Sequence, residues 1–323
     1  MREVMARAEV GDDVYGEDPS IRELEAHVAR LLGKEAALFV PSGTMSNQIA
    51  LRVHTEPGDE VLVAEAAHMS WDESGAGAAL AGVQFRELGA RGVFTADDVS
   101  RGRKPERYYH PRTRLVGIEN THNRSGGRVF PQAQVIAVAE RARQHGFGLH
   151  LDGARLWNAE VATRRSAGEL AEPFDTVSVC FSKGLGAPVG SALCGSSALI
   201  GRARRFRKML GGGMRQAGIL AAAALYALEH HRERLALDHE HARIVASALS
   251  SVPGFHVEEP ETNIVIAHTG VRSAPEFAEA LAKKGILAAP LDERTLRLVT
   301  HLDVSREDAL AAAALIREAG ARG

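Results

Sequence analysis

Val177-Ser178-Val179-Cys180-Phe181-Ser182-Lys183-Gly184-Leu185-Gly186 is a continuous apolar run that ends on a lysine and a glycine turn. A run of this length, rich in β-branched and aromatic residues, reads as a strand buried on both faces, the kind found in parallel sheets. Working outward from it, similar short runs recur from about residue 35 to 195, separated by amphipathic stretches and by Gly, Pro or Asp. The alternation predicts βα units and an α/β fold with a mostly parallel, seven-stranded sheet. Its strands are expected at Ala36–Val40, Glu60–Ala64, Val83–Leu88, Arg114–Glu119, Gly148–Asp152, Thr176–Phe181 and Ser191–Cys194. Helical patterns lie between them at Thr44–Val53 and Pro131–His145, the second opening on proline and closing at Gly146. Ligands of such a layer sit at the carboxyl ends of the strands, so the motifs there carry the most information.

Residues 216–250 are rich in alanine and leucine and lack proline, which predicts one long helix or a pair leading out of the large domain. A smaller α+β unit follows, with strands at Phe255–Glu259, Asn263–His268, Gly285–Ala289 and Thr295–Val299 and helices at Ala274–Lys284 and Arg306–Ala319. The expected division is an N-terminal segment 1–15, a large domain 16–230 and a small C-terminal domain 231–323. No low-complexity linker separates the last two, so they are expected to pack together.

The 323 residues carry 39 Lys plus Arg against 41 Asp plus Glu, with 45% hydrophobic residues. That balance fits neither a disordered chain nor a collagen or coiled coil. It gives no electrostatic support to nucleic-acid or anionic-membrane binding, which leaves a small molecule as the expected partner. The two cysteines, Cys180 and Cys194, lie in expected strands and make no disulfide framework, so the cytoplasm is the expected compartment. No apolar run reaches the ~18 residues of a membrane span. Met1-Arg2-Glu3-Val4 also lacks the layout of a signal peptide, and the chain reads as soluble.

Lys183 is one of six lysines and the only one directly after an apolar strand. Burial lowers a lysine's pKa and frees its amine as the nucleophile that a Schiff base requires; the alternative is a lysine that snorkels from a strand end. Leu149-His150-Leu151-Asp152-Gly153-Ala154-Arg155 ends another strand on a carboxylate and a guanidinium. There Asp152 can keep a pyridinium nitrogen protonated, as pyridoxal phosphate (PLP) needs to act as an electron sink, and Arg155 can bond its phenolic oxygen or a substrate carboxylate. Alternatively, Asp152 caps a helix and Arg155 lies on its first turn.

Pro41-Ser42-Gly43-Thr44-Met45-Ser46-Asn47 joins a strand to a helix, where free N–H groups and the positive dipole end suit a phosphate. It matches neither the P-loop nor the dinucleotide spacing, and a plain helix cap is the alternative. His68 and His122 each follow a strand and can stack on a ring or move a proton near neutral pH, or serve structure alone. His230, His231, His239 and His241 lie among Glu, Arg and Asp and read as a helical surface, so no metal site is expected.

Taken together, Gly11 to Asp18, Ser42-Gly43-Thr44, His68, Glu119 to Asn123, Leu149 to Leu156, Ser182 to Gly186 and Gly211 to Gly218 resemble the low-specificity L-threonine aldolases, PLP enzymes of fold type I in the β-eliminating lyase superfamily. The resemblance runs in order along nearly the whole chain. It implies that Lys183 carries the cofactor as a Schiff base, Asp152 pairs with the ring nitrogen and Arg155 with the phenolic oxygen. It further implies that Ser42, Gly43 and Thr44 hold the phosphate, His68 stacks on the ring and His122 lies by the substrate hydroxyl. Arg297 matches the arginine that clamps the substrate carboxylate, while Tyr15, Lys208 and Arg215 match positions lining the site, some from a neighbouring subunit of a homotetramer.

The implied reaction is retro-aldol cleavage of L-threonine or L-allo-threonine to glycine and an aldehyde, with His122 the first candidate base and His68 or a water the alternatives. Other PLP reactions (racemisation, β-elimination, transamination, phenylserine cleavage) and a catalytically weakened relative are the rival readings. Two departures stand out. The family's start, with a serine that contacts the substrate carboxylate, would precede Met1 here: either the true start lies further upstream or the contact is missing, and its loss is expected to cost about 1.5–3 kcal/mol of binding. Asp72, beside Trp71, stands where members place an aromatic residue against the substrate side chain, so the aldehyde pocket is expected to differ.

Overall fold

A computed structural model describes residues 1–321. Within it the chain divides into two units, the first comprising Met1–Arg124 and Phe130–Arg232, the second Ser125–Val129 and the chain from Glu233 onward. Residues 1–15 are part of the first unit. The segment Ser125–Val129 is tied into the second by the Thr262 hydroxyl, which donates to the Gly127 carbonyl at 2.7 Å, and by Val129 N–H, which donates to Glu261 at 2.9 Å.

The first unit is built on strands β1 (Ala36–Val40), β2 (Glu60–Ala64), β3 (Gln84–Leu88), β4 (Thr113–Glu119), β5 (Gly148–Gly153), β6 (Thr176–Cys180) and β7 (Ser191–Gly195). They form one seven-stranded sheet in the order β1-β7-β6-β5-β4-β2-β3. Every neighbouring pair is parallel except the two that involve β7, which runs against both β6 and β1. Only an antiparallel partner can follow a strand through a short loop, and the β6–β7 connection, which carries Lys183, is of that kind. Helices cover the sheet, and its central strands are buried throughout, as their unbroken apolar runs require. Both cysteines are buried in strands and unpaired.

The second unit holds strands β8 (His256–Val257), β9 (Ile264–His268), β10 (Ala289–Pro290) and β11 (Thr295–Val299), antiparallel in the order β10-β11-β9-β8. Its core joins Leu249, Val265, Leu281, Leu296 and Ile316. The expected strand at Gly285–Ala289 is a correction. Gly285 takes the left-handed conformation (φ 83°), and the N–H groups of Gly285 and Ile286 turn back onto the carbonyls of Ala282 and Leu281, closing the helix Ala274–Ala282. Residues 285–288 therefore cap a helix, and the ladder starts only at Ala289.

The stretch 216–250 forms a pair of helices, Gly218–His230 and Leu235–Ser250. A second correction concerns the histidines there: His239 and His241 are buried, because the second helix is covered on more than one side, its buried residues including Asp238, Ala242, Val245 and Leu249 as well. His231 Nδ1–H donates to the Leu185 carbonyl at 2.6 Å. None of these four histidines joins a metal-ligating group among the described residues. No described helix is long and apolar enough to cross a membrane.

Candidate active site

The carboxyl ends of β1, β2, β4, β5 and β6 deliver the groups singled out in the sequence to one edge of the sheet. Lys183 is half-buried on the turn after β6, which closes by a hydrogen bond from Gly186 N–H to the Lys183 carbonyl at 2.9 Å. Its charge reaches the Cys180 thiol, whose pKa burial pushes up while Lys183 pulls it down. The same sulfur lies 2.9 Å from where a Cβ on Gly43 would stand, so glycine is what lets the helix Gly43–His54 begin this close to β6. The Ser42 hydroxyl caps that helix by accepting from Met45 N–H at 3.2 Å.

Asp152 is buried near the end of β5. Its Oδ2 accepts from Asn47 Nδ2 at 2.7 Å and its Oδ1 from Ala154 N–H at 3.2 Å. The helix-cap alternative does not hold: the next helix is Leu156–Thr163, and Arg155 occupies the cap position without a side-chain cap bond. Arg155 Nη1 donates to Asn123 Oδ1 at 3.0 Å. Loss of solvent lowers this guanidinium's pKa, and Glu119, Cys180 and Asp152 act against that, which places all three within its field.

Two carboxylates organise the histidines. His68 Nδ1 lies 2.9 Å from Glu73 Oε1, and its backbone N–H donates to Glu119 Oε2 at 2.8 Å. The hydrogen bond to Glu73 raises the His68 pKa above its ordinary value, against the opposing effect of burial. His122 is buried, with Nε2 at 3.6 Å from Glu119 Oε2. His68, Glu73 and Asp152 bring ligand atoms within 4.8 Å of one another. Glu73 and Asn47 had no role in the sequence reading. The available signal was Ser46-Asn47-Gln48, three consecutive polar residues in the first half of the helix, and all three are buried.

Tyr15, Lys208 and Arg215 gather around Asp12. Arg215 donates to Asp12 Oδ2 at 2.6 Å and also hydrogen-bonds the Tyr15 hydroxyl, while Lys208 acts on Asp12 by charge. The neighbouring Gly212 packs on Met45 and Pro41, which puts this group beside the Ser42 turn, with Tyr15 72% exposed. Asp72 is bound by Arg124 at 2.8 and 3.1 Å, and the guanidinium lies 4.7 Å over the Trp71 ring. Arg297 lies on β11 in the second unit, paired across the sheet with Ile266 and Ala289.

This donor set suits PLP. It offers an amine for an aldehyde, a buried carboxylate for a ring nitrogen, a half-buried guanidinium for a phenolic oxygen, an imidazole for the ring face and a helix amino end for a phosphate.

The β-eliminating lyase family description matches residues 1–272. The chain is 43% identical over 311 residues to the low-specificity L-threonine aldolase of Escherichia coli, covering 95% of this chain and 91% of that one. The chain belongs to this family. Low-specificity L-threonine aldolase 1 of Arabidopsis thaliana is 41% identical over 319 residues, covering 95% and 89%. The solved structure of Leishmania major threonine aldolase shares the fold, with a TM-score of 0.83 at 22% identity over 98% of this chain and 95% of that one. The family member described here is a PLP-dependent lyase of fold type I.

Proposed function

We propose that the protein cleaves L-threonine, L-allo-threonine and related β-hydroxy-α-amino acids to glycine and an aldehyde. The observation that carries this reading is the gathering of Lys183, Asp152, Arg155 and His68 with the Ser42–Thr44 turn at one sheet edge, in a chain 43% identical to a threonine aldolase. When bound, PLP supplies a sink for the electron pair of the breaking Cα–Cβ bond.

In this reading the chain's residues do the following. The Lys183 amine holds the cofactor aldehyde, Asp152 keeps the ring nitrogen protonated and Arg155 binds the phenolic oxygen. Ser42, Gly43 and Thr44 hold the phosphate, His68 faces the ring and Arg297 takes the substrate carboxylate. His122 accepts the β-hydroxyl proton as that oxygen becomes the aldehyde carbonyl, and glycine's Cα gains a proton in exchange. Glu119 Oε2 stands 3.6 Å from His122 Nε2. His68 is the weaker candidate base, since Glu73 biases it toward the form that already carries its proton.

The working unit in this reading is a cytoplasmic homotetramer in which Tyr15, Lys208 and Arg215 complete a neighbouring site. Supporting it is the exposed Tyr15, held in the group around Asp12 that Gly212 sets beside the Ser42 turn.

The test compares the protein with Lys183→Ala, each with added PLP, on L-threonine, L-allo-threonine and phenylserine, following glycine and aldehyde together. Release of both products that disappears in Lys183→Ala is the expected result. Release of neither, from a protein whose Lys183 is labelled by borohydride reduction of bound PLP, would overturn the aldolase reading and point to a rival PLP reaction.

A further inference from the structure

Beneath the cofactor residues runs a chain of side-chain hydrogen bonds that crosses the sheet. Asn47 stands at its head. Its amide nitrogen donates to Asp152 Oδ2 at 2.7 Å and to Glu73 Oε1 at 2.8 Å, so one NH2 group bridges two buried carboxylates. The same Glu73 oxygen takes His68 Nδ1 at 2.9 Å, and its other oxygen takes Gln48 Nε2 at 2.6 Å. Behind Asn47, its Oδ1 lies 3.2 Å from His150 Nε2, and His150 Nδ1 lies 2.9 Å from the Thr176 hydroxyl. His54 Nε2 meets that hydroxyl from the far side, also at 2.9 Å.

The protons in this chain are determined by the carboxylates at its head. Carboxylates only accept, so the Asn47 atom between them must be nitrogen, and the atom facing His150 must be the carbonyl oxygen. His150 Nε2 must then carry a hydrogen. Burial holds His150 neutral, with a pKa lowered to about 4, so Nδ1 is bare and accepts from Thr176. The Thr176 oxygen is left to accept from His54 Nε2–H. Each link follows from the one before it, and a flip of Asn47 would set its oxygen against two carboxylates.

We propose that Asn47 is a positioning residue that aims Asp152 at the cofactor's ring nitrogen while tying it, through Glu73, to His68 on the ring face. This rests on the assignment of Asp152 under Proposed function. Two carboxylates that share a buried site repel unless donors stand between them. Asn47 supplies both donors. The His150–Thr176–His54 chain satisfies the amide's other end, so an asparagine on one helix fixes where a strand residue's carboxylate points.

The test uses the absorption spectrum of bound PLP and its dissociation constant in four proteins: the unmodified chain, Asp152→Asn, Asn47→Leu and Thr176→Val. Asn47→Leu keeps the volume and removes both donors. The expected result is that it shifts the spectrum in the same direction as Asp152→Asn and weakens PLP binding by about tenfold or more, the loss of a charge-assisted hydrogen bond. Borohydride should still label Lys183 in every case. Thr176→Val removes only the hydroxyl that orients His150, and a smaller shift in the same direction is expected; it carries the test should Asn47→Leu not fold. A folded Asn47→Leu with the unmodified spectrum and affinity, beside an altered Asp152→Asn, would overturn the inference alone. An unaltered Asp152→Asn would overturn the assignment of Asp152 and the inference with it.

Discussion

Glu73 reaches His68 from inside the protein, with its own side chain fully buried and the imidazole partly open to solvent. The pair is therefore one-sided: among the described residues His68, Asn47 and Gln48 meet the glutamate, and the charged imidazole is favoured. A histidine whose pKa is raised on folding stabilises the fold fully below its unfolded value near 6.5 and loses that contribution as pH climbs through the raised value. Glu73→Gln removes the charge and replaces one accepting oxygen by a donor that faces other donors. It should lower the His68 titration midpoint in an NMR titration. The stability gap between unmodified protein and variant should shrink as pH rises past the unmodified midpoint. An unchanged midpoint would show that the pairing does not set the charge of His68. The neighbouring contact of Asp72 with Arg124 has the opposite character, a bidentate pair near the surface over Trp71. It gives the position where an aromatic residue was expected a charge that is already neutralised.

Helices anchor the site as firmly as the strands do, and Asp18 is the clearest case. It is fully buried at the start of the helix Pro19–Leu32, accepting from Ile21 N–H at 3.0 Å as its N-cap. It also accepts from Gly218 N–H at 2.8 Å, so one carboxylate stitches two helices together. Asp18→Ala leaves those buried donors unpaired and should destabilise the protein by about 3 kcal/mol, a lost cap plus an unsatisfied amide. Chemical denaturation checks it, and a loss under about 1 kcal/mol would mean that the helices rearrange to bond elsewhere. This helix shows what was legible and what was missed. Asp18-Pro19 at its start, buried Ile21, Leu24, Val28 and Leu32 at helical spacing, and left-handed Gly33 at its end are all sequence signals, yet a reading built outward from apolar strands passed over them. Lys183, Asp152 and Arg155 stood out because charged residues ending apolar runs have few structural uses. Asn47 and Glu73 did not, since a polar residue on a helix faces water unless a sheet lies against it, and pairing across the sheet is a long-range property. The same physics hid the burial of His239 and His241 and the capping role of residues 285–288.

On the scale of the whole molecule, buried titratable groups decide how stability depends on pH, and they divide into windows. Burial lowers the pKa of His54, His150 and His239 to about 4 each. The unfolded chain binds protons at these residues from about pH 6.5 downward while the fold refuses them, so stability must fall as pH drops from 6.5 toward 4. Each imidazole contributes at most about 3 kcal/mol to that fall. Glu25 and Asp238 act the other way, since burial raises their pKa values and protonation suits the fold, so they offset part of that loss. On the alkaline side, stability falls as His68 loses its proton, and again near the ordinary thiol value of 9.0, because burial keeps Cys180 and Cys194 from ionising while the unfolded thiols do so freely. The PLP-free protein is therefore expected to be most stable close to pH 6.5 and to lose several kcal/mol by pH 4.5, in a profile obtained from denaturant unfolding at closely spaced pH values. His150→Gln should flatten the acid limb, because an amide can serve Asn47 and Thr176 without a proton to gain. A profile flat from pH 6.5 to 4.5 would show that these imidazoles are not held neutral, and the proton order deduced for the chain beneath Asp152 would fail with them.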